Sequence, residues 1–284
     1  MTQRVALLGK PLKRRHSQVM HDAAFAAAGI DARYVLLELD PDAVQGSVDA
    51  ARGPGWLGLG VTAPYKRVVA DLVDVVEPDA QRIGAVNNVT KDEDGRLIGF
   101  NSDAPGFRAG VELAMGRPLA GATVVVAGAG GAAHAVVFAC IEAGARRVTI
   151  GNRSVVAARA LVDRFGGAGV EASAVTLDDP AFGEALRSAD LAVNATTVGM
   201  IDPGMTIDVL ALPAGATVFD LVYVPAETPL LRAARGRGLR ASNGSEMLIQ
   251  QAAIAFERWT SVSGMADVMR AAVAPLLADP TAAA

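Results

Sequence analysis

Short apolar runs alternate with stretches of helical periodicity through the first third of the chain. They predict five elements, which are strands at residues 4–8, 33–39 and 56–62 and helices at residues 18–28 and 41–51. Strands that alternate with helices in this way are typical of β-α-β units and of a mostly parallel sheet. The first third therefore predicts an α/β domain.

A hairpin and a helix follow this first series. Two extended runs within residues 85–100 flank the polar tract 91–95, which predicts the hairpin. A helical stretch from Pro105 to Met115 then reaches Gly116-Arg117-Pro118. Because Gly and Pro end regular elements, we expect a domain boundary near this point.

A second βα series begins at Thr123. It predicts strands at 123–127, 147–150, 191–195 and 217–221 and helices at 132–143, 155–165 and 229–235. Strands this apolar on both faces favour a central parallel sheet covered by helices, the doubly wound arrangement. The last forty residues predict two helices, at 246–259 and 265–277, before the low-information tail 279–284.

Composition excludes several classes of protein. The chain has 284 residues, of which 51% are hydrophobic and 20% charged, so it can bury a core and suits about two domains. Its net charge is −4 and no basic block stands out, so we expect no nucleic-acid partner. The single cysteine, Cys140, allows no internal disulfide, and the order of apolar and basic residues at the N-terminus is not that of a signal peptide. We therefore expect a cytoplasmic protein.

One uncharged segment resembles a membrane span in hydropathy alone. Residues 118–141 contain no Asp, Glu, Lys or Arg. Glycines and His134 divide this segment, so we interpret it as a buried strand, a turn and a helix, and we expect no membrane partner.

The turn within that segment predicts a dinucleotide site. The strand Val124–Ala127 runs into Gly128-Ala129-Gly130-Gly131-Ala132, where a helix begins. Glycines without side chains let the backbone approach a pyrophosphate, whose charge then faces the helix N-terminus. The alternative is an ordinary tight turn, but a strand before the glycines and a helix after them favour dinucleotide binding.

The end of the next predicted strand indicates which nucleotide is bound. NAD-binding proteins commonly place an acidic residue there, whereas this chain has Asn152-Arg153-Ser154. The Arg153 guanidinium can pair with the 2′-phosphate of NADP, while Asn152 and Ser154 can supply hydrogen bonds and a helix cap. Alternatively, Ser154 is only an N-cap and Arg153 a solvated neighbour. We predict NADP as the cofactor.

Two polar residues of the first domain are candidates for proton transfer. Lys66 follows a predicted strand, and Asp103 lies between the hairpin and the next helix. Taken alone, the lysine is usually solvated and the aspartate an N-cap. Together they offer a proton donor and an acidic partner without a metal, and the three histidines and Cys140 lack zinc-site spacing.

An ordered series of motifs resembles the shikimate/quinate dehydrogenase family along nearly the whole chain. The motifs are Gly9-Lys10-Pro11, Val61-Thr62 with Pro64-Tyr65-Lys66, Gly84-Ala85-Val86-Asn87, Phe100-Asn101-Ser102-Asp103, Gly128 to Ala132, Asn152-Arg153-Ser154, Asn194 to Met200 and Met247 to Gln251. Several are loose individually, but eight in order across both domains are specific.

The resemblance implies a two-domain α/β fold with a cleft between the domains. Residues 1–103 would bind substrate, with residues 244–284 packing back on them, and residues 104–243 would form a Rossmann-like NADP domain. The implied activity is an oxidoreductase step of chorismate and aromatic amino acid biosynthesis, the reversible reduction of 3-dehydroshikimate to shikimate by NADPH. The chain would act on a small molecule as a monomer or homodimer.

The resemblance also implies residue roles. Lys66 and Asp103 would act at the reacting oxygen, with Thr62, Asn87 and Gln251 on substrate hydroxyls. Tyr223 would lie near the carboxylate, and Ser17 matches one of two substrate-binding serines. The cofactor set comprises Gly128, Ala129, Gly130, Gly131, Ala132, Asn152, Arg153, Ser154, Thr196 and Gly244. Without the resemblance, Gln251 is an ordinary polar helix residue.

Departures from the family pattern bear on the substrate. Where the family commonly reads Gly-x-Pro-x-x-His-Ser-x-Ser-Pro, an ungapped reading puts Arg15 at the first serine and Gln18 at the proline. A gapped alignment loses the second serine instead. Arg15 could grip the substrate carboxylate or could point to solvent. Gly60 stands where an Asn usually precedes Val-Thr, and Asn88 where a Thr usually follows Asn87.

These departures keep two alternatives open. A paralogue could act on quinate or another cyclic polyol acid. A non-catalytic regulator could keep the NADP fold without a competent substrate site, although the presence of Lys66, Asp103, Asn87 and Gln251 argues against it.

Overall fold

The computed structural model describes residues 2–167 and 169–278, so the tail 279–284 lies outside the described residues. Backbone contacts divide the chain into two compact units. The first contains Met1–Ser102 and Ile249–Ala284, and the second contains Asp103–Leu248. Each unit is built around its own six-stranded sheet with helices, which confirms the predicted α/β class with two domains.

The first unit is a mixed sheet in the order β2-β1-β3-β5-β6-β4. Its strands and helices are β1 Gln3–Gly9, α1 His16–Ala27, β2 Ala32–Glu38, α2 Val44–Ala50, β3 Trp56–Val61, β4 Val75–Val76, α3 Pro78–Ile83, β5 Asn88–Lys91 and β6 Leu97–Phe100. The parallel strands β1, β2 and β3 follow from the predicted β-α-β series, and β5 and β6 form the predicted antiparallel hairpin. Apolar residues of alternating strand positions, such as Leu8, Leu59 and Val89, form a core on one face.

The second unit is a parallel sheet in the order β12-β11-β10-β7-β8-β9. Its elements are α4 Asp103–Met115, β7 Thr123–Ala127, α5 Gly131–Glu142, β8 Arg147–Asn152, α6 Val155–Phe165, β9 Glu171–Thr176, α7 Pro180–Leu186, β10 Leu191–Asn194, β11 Thr217–Asp220, α8 Pro229–Gly236 and β12 Arg240–Asn243. The central strand β7 is buried at all five positions, as the apolar pattern predicts. The strand order reverses between β7 and β10, which creates the switch point where such sheets bind ligands.

Two helices complete the chain, α9 Ser245–Thr260 and α10 Ala266–Ala278. Contacts assign most of α9, from Ile249 onward, and all of α10 to the first unit, where α10 packs on α1. Among the helices in the described ranges, none has the length and apolarity that a bilayer crossing requires. The uncharged segment 118–141 forms β7, the glycine turn and most of α5.

Candidate active site

The glycine turn lies at the switch point of the second sheet. Gly128 follows β7 with a φ of +113°, and its N–H donates to the Gly151 carbonyl at 2.7 Å. A Cβ on Gly128 would lie 2.8 Å from Thr196 Cγ2 and 2.9 Å from the Ala195 carbonyl oxygen. Both the conformation and the close approach to the chain after β10 therefore require glycine.

The start of α5 fits an anionic group. Gly130 is the N-cap, so no side chain caps the first turn. Gly130, Gly131 and Ala132 are exposed and Ala129 is half-buried, and a Cβ on either glycine would meet open space. The uncapped amides and the positive end of the helix dipole are the features that bind a pyrophosphate.

The segment after β8 presents a cation. Asn152 Nδ2 donates to the Ser154 carbonyl at 3.0 Å, which closes the backbone around Arg153. Ser154 is the N-cap of α6, but its side chain makes no capping hydrogen bond, contrary to the expected side-chain cap. Arg153 is exposed and pairs with no acidic side chain in the described part of the chain. An exposed guanidinium at this strand end suits a 2′-phosphate.

A buried polar network holds the loops after β10 and β11. Asn194 Oδ1 accepts hydrogen bonds from Thr196 Oγ1 at 2.7 Å and from Thr206 Oγ1 at 3.1 Å, while its Nδ2 donates to Asp220 Oδ1 at 2.8 Å. Asp220 also accepts from Val222 N and Thr228 Oγ1. Burial raises the pKa of the Asp220 carboxyl, although these donors oppose the rise. The network, which was not predicted as functional, fixes Thr196.

Two further predicted residues follow β11 and β12. Tyr223 is half-buried three residues after the end of β11. Gly244 is buried directly after β12, where a Cβ would collide with the Leu221 carbonyl oxygen. The Gly244 N–H points to the Val222 carbonyl at 3.4 Å, so the absence of a side chain brings these two loops together.

In the first unit, the loop after β3 carries Thr62 and Lys66. Thr62 N donates to the Leu8 carbonyl at 2.9 Å and Tyr65 N to the Thr62 carbonyl at 3.0 Å, so the loop turns at the end of β1. The buried Tyr65 side chain donates its hydroxyl to the Leu39 carbonyl. The Lys66 carbonyl accepts from Val86 N at 2.9 Å, and the Lys66 side chain is half-buried.

Asn87 and Gln251 meet through Ser102. Asn87 Oδ1 accepts from Ser102 N at 2.8 Å, and Ser102 Oγ donates to Gln251 Oε1 at 3.3 Å. The Asn87 carbonyl also accepts from Val61 N at 2.7 Å, one residue before Thr62. Ser102 is fully buried, and no role was predicted for it from the sequence. Its signal in the sequence was its place between Asn101 and Asp103.

The departures near the N-terminus lie at the start of α1. Arg15 is exposed at the N-cap position and its Nε donates to Gln18 Oε1 at 3.1 Å. Ser17 is half-buried in the first turn of the helix.

The predicted catalytic residue Asp103 lies in the second unit. It is the first residue of α4, and the same unit contains Tyr223 and the predicted cofactor residues.

Family comparisons cover most of the chain. Residues 7–89 match the family described as shikimate dehydrogenase substrate binding domain, and residues 112–201 match shikimate / quinate 5-dehydrogenase. Residues 244–274 match the shikimate 5′-dehydrogenase C-terminal domain. These three matches fall in the same order as the motifs that carry the resemblance.

Individual proteins agree with the families. The NADP(+) shikimate dehydrogenase of Methylobacterium radiotolerans is 41% identical over 91% of both chains. The shikimate 5-dehydrogenase of Thermus thermophilus, solved with NADP(H) and shikimate, is 39% identical with a TM-score of 0.82, over 95% of this chain and 99% of that one. The quinate dehydrogenase of Corynebacterium glutamicum, solved with NAD, is 34% identical with a TM-score of 0.88, over 97% and 99%. The chain described here therefore belongs to the shikimate/quinate dehydrogenase family.

Proposed function

We propose that this protein is an NADP-dependent shikimate dehydrogenase that interconverts 3-dehydroshikimate and shikimate. The observation that carries the proposal is the 41% identity, over 91% of both chains, with a relative named as an NADP(+) shikimate dehydrogenase. The glycine turn, the exposed Arg153 and the linked polar groups around Asn87 support it, because they supply sites of suitable chemistry for a nucleotide phosphate and a hydroxylated ring.

NADPH, when bound, supplies the hydride. The chain's contribution at this site is to bind phosphates, with the uncapped start of α5 for the pyrophosphate and Arg153 for the 2′-phosphate. Gly128 lets the backbone turn beneath Thr196, and the Asn194–Asp220 pair keeps Thr196 in place. Gly244 and the neighbouring loop at Leu221 complete the proposed cofactor set.

Lys66 is the proposed proton donor. Hydride delivery to a ketone leaves negative charge on the oxygen, and an ammonium both stabilises that charge and supplies the proton. The hydrogen bond between the Lys66 carbonyl and Val86 N fixes the backbone from which the side chain extends. Asp103 is assigned to the same oxygen, on the strength of the motif that it shares with the family.

Substrate groups are divided among the remaining residues. Thr62, Asn87 and Gln251 are assigned to ring hydroxyls. Arg15 and Tyr223 are assigned to the carboxylate, to which a guanidinium can donate two parallel hydrogen bonds. Ser17 is assigned to substrate binding, as one of the two serines of the motif.

Initial rates of shikimate oxidation by the purified protein test the proposal, with NADP and NAD compared and reduced nicotinamide followed by absorbance. We expect turnover with shikimate and a preference for NADP. Absence of turnover with every cyclic polyol acid, despite NADP binding, would overturn the proposal and favour a non-catalytic nucleotide-responsive protein.

Quinate oxidation is the second candidate activity. It is favoured by the similarity to the C. glutamicum quinate dehydrogenase and by Arg15, which stands in place of a substrate-binding serine. Quinate carries a hydroxyl on the carbon that bears its carboxylate, so the residues near the carboxylate decide between the two acids. A higher kcat/KM for quinate than for shikimate in the same assay would support this candidate.

A further inference from the structure

A buried amide connects the loops that follow the central strands of the second sheet. Asn194 is the last residue of β10, and 1% of its surface is exposed. Its Oδ1 lies 3.2 Å from the backbone nitrogen of Thr196, which can only donate. Its Nδ2 lies 3.2 Å from the Val198 carbonyl oxygen, which can only accept. These two backbone groups identify the two ends of the amide independently of any other side chain.

Asp220 makes the shortest contact with the NH₂ end of this amide. Its Oδ1 accepts from Asn194 Nδ2 at 2.8 Å and from Val222 N at 3.1 Å, and its Oδ2 accepts from Thr228 Oγ1 at 2.7 Å. Asp220 is fully buried, and no cationic side chain of the described residues pairs with it. Both partners of Oδ1 are neutral donors, so this oxygen is needed as an acceptor and not as a charge.

The oxygen end of the Asn194 amide determines the polarity of Thr196. An amide oxygen can only accept, so the Thr196 hydroxyl, 2.7 Å away, must direct its single hydrogen at Asn194 Oδ1. One lone pair of the same hydroxyl accepts from Val198 N at 3.1 Å. Thr196 is half-buried, and its second lone pair is the only hydrogen-bonding capacity that the hydroxyl has left. The hydroxyl can therefore accept a hydrogen bond from a bound molecule but cannot donate one.

Thr196 lies beside the turn that we propose to bind the pyrophosphate. A Cβ on Gly128 would lie 2.8 Å from Thr196 Cγ2, so the threonine methyl group packs against that glycine. Phosphate oxygens are acceptors and need a donor, which the Thr196 hydroxyl does not offer. The hydroxyls and N–H groups of a nucleotide are donors, and one of them is the complementary partner for this oxygen.

We propose that Asp220 is a positioning residue of the cofactor site, which acts through the Asn194 amide to present Thr196 as a hydrogen-bond acceptor for an O–H or N–H group of the nucleotide. This inference rests on the NADP binding that is part of the proposed function. It assigns Thr196 to a donor group of the cofactor and not to a phosphate. It also states what position 220 requires, which is an acceptor oxygen that an asparagine would supply as well.

The first test compares Asp220→Asn with Asp220→Leu. In Asp220→Asn the amide oxygen can take the place of Oδ1, and its NH₂ group then faces Thr228 Oγ1, which can accept. We expect the dissociation constant for NADPH, measured by fluorescence titration, to stay within about twofold of wild type in Asp220→Asn and to rise about 10-fold or more in Asp220→Leu. Thr228→Val is the matched control. It removes only the contact of Oδ2, so it should lower the melting temperature and leave that dissociation constant unchanged.

The second test uses Thr196→Val, which leaves the buried pair of Asn194 and Asp220 in place and so applies even if Asp220→Leu does not fold. This change should weaken NADPH binding about 10-fold. It should not weaken the competition of inorganic pyrophosphate against NADPH, because pyrophosphate offers almost only acceptor oxygens. In a double-mutant cycle on NADPH affinity, Thr196→Val and Asp220→Leu should have non-additive effects, because one residue acts through the other.

An NADP analogue with an acetyl group in place of the carboxamide identifies the donor on the nucleotide. If the affinity lost through Thr196→Val disappears with this analogue, the carboxamide N–H is the partner of Thr196. If the same loss persists, the partner is a hydroxyl or amino group of the nucleotide. Both results support the assignment of Thr196 as an acceptor.

The remaining outcomes separate this inference from the proposed function. Equally weak NADPH binding by Asp220→Asn and Asp220→Leu, or unchanged binding by both, would overturn the inference. Equal losses for NADPH and pyrophosphate in Thr196→Val would also overturn it, because they would place a phosphate at the hydroxyl. A wild type that binds NADPH but turns over no ring acid would overturn the proposed function alone, and one that binds no NADPH would overturn both.

Discussion

Arg15 Nε donates a hydrogen bond to Gln18 Oε1 at 3.1 Å, which joins two departures from the family's N-terminal motif in one contact. Gln18 Nε2 in turn donates to the Tyr34 carbonyl at 3.2 Å, so the guanidinium is connected to β2. Among the described residues, no acidic side chain pairs with Arg15. The hydrogen bond of Arg15 Nε thus orients the guanidinium group, and its two terminal nitrogens suit the binding of a carboxylate.

We predict that Arg15→Ala raises the KM for the ring acid about 10-fold, because a charge-assisted pair is lost. Arg15→Lys should recover only part of the affinity, since a lysine keeps the charge without the planar fork. Initial rates with the acid and with its carboxamide check the assignment. If Arg15→Ala weakened both compounds equally, the guanidinium would not be the carboxylate's partner.

Lys66→Ala should lower kcat about 10²- to 10⁴-fold by removing the proton donor. The dissociation constant for NADP, measured by fluorescence titration, should stay near that of wild type, because Lys66 and the cofactor residues belong to different units. Arg67→Ala is the matched control, because Arg67 is exposed in the adjacent position and has no proposed role. A Lys66→Ala enzyme with normal kcat would remove this residue from the mechanism.

Arg153→Ala should weaken NADP binding about 10- to 100-fold and leave NAD binding nearly unchanged, because only NADP carries the 2′-phosphate. Dissociation constants for both nucleotides check this, in the wild type and the variant. Arg159→Ala is a control for charge, since Arg159 is exposed on α6 in the same unit. An equal loss of affinity for both nucleotides would show that Arg153 does not bind the 2′-phosphate.

The strongly apolar elements of both units could be predicted from sequence, and the more exposed ones could not. The strand β7 and the helix α6 have the predicted bounds, because burial on one or both faces leaves a clear apolar pattern. The outer strands β9 and β12 were missed, since neither contains a fully buried position. A half-exposed edge strand needs no apolar pattern.

Site prediction has a similar limit. Motif matches name Asn87 and Gln251, but the sequence does not reveal that Ser102 connects them, because that contact joins residues 149 positions apart. Nor does it reveal that Gly60 faces Asn88, which depends on the register of two strands. The departures at Gly60 and Asn88 are 28 positions apart in the sequence, but they are direct neighbours across two paired strands of the sheet.

Acid sensitivity is expected from His21, which is buried within an aromatic cluster. Its ring stacks on Tyr34 with centroids 4.5 Å apart and lies 5.1 Å from the Trp259 ring, and no described residue hydrogen-bonds its Nδ1. Burial lowers the pKa of His21 from 6.5 to about 3. Below pH 6.5 the unfolded chain takes up a proton that the folded chain does not, so stability falls as the pH is lowered.

The stability lost through protonation of His21 in the unfolded chain amounts to about 2 kcal/mol at a pH of about 5. His21→Phe, which keeps a ring in the stack, should reduce the loss of unfolding free energy between pH of about 7.5 and about 5 by that amount. Urea denaturation at the two pH values checks it, with His134→Gln as the control because His134 is only half-buried. Equal losses in wild type and His21→Phe would contradict the assignment.

Gly60 is also constrained by Tyr34. A Cβ at position 60 would lie 2.6 Å from the Tyr34 hydroxyl oxygen but 3.6 Å from Tyr34 Cζ, so the hydroxyl alone causes the collision on the tyrosine side. The tyrosine ring cannot easily withdraw, because it is buried and stacked on His21. Within the described part of the chain nothing hydrogen-bonds this hydroxyl, and burial raises its pKa.

We therefore predict that Gly60→Ala lowers the free energy of unfolding by about 1–3 kcal/mol through overpacking. Tyr34→Phe removes the colliding oxygen, so the same Gly60→Ala change should cost less in that background. A double-mutant cycle by urea denaturation measures this coupling. Gly46→Ala is the control, since a Cβ there meets no atom within 4 Å. Additive effects of Gly60→Ala and Tyr34→Phe would show that the Tyr34 hydroxyl does not fill the space beside Gly60. The preference for glycine would then have to come from Leu7, because Leu7 Cδ1 would lie 3.2 Å from a Cβ at position 60.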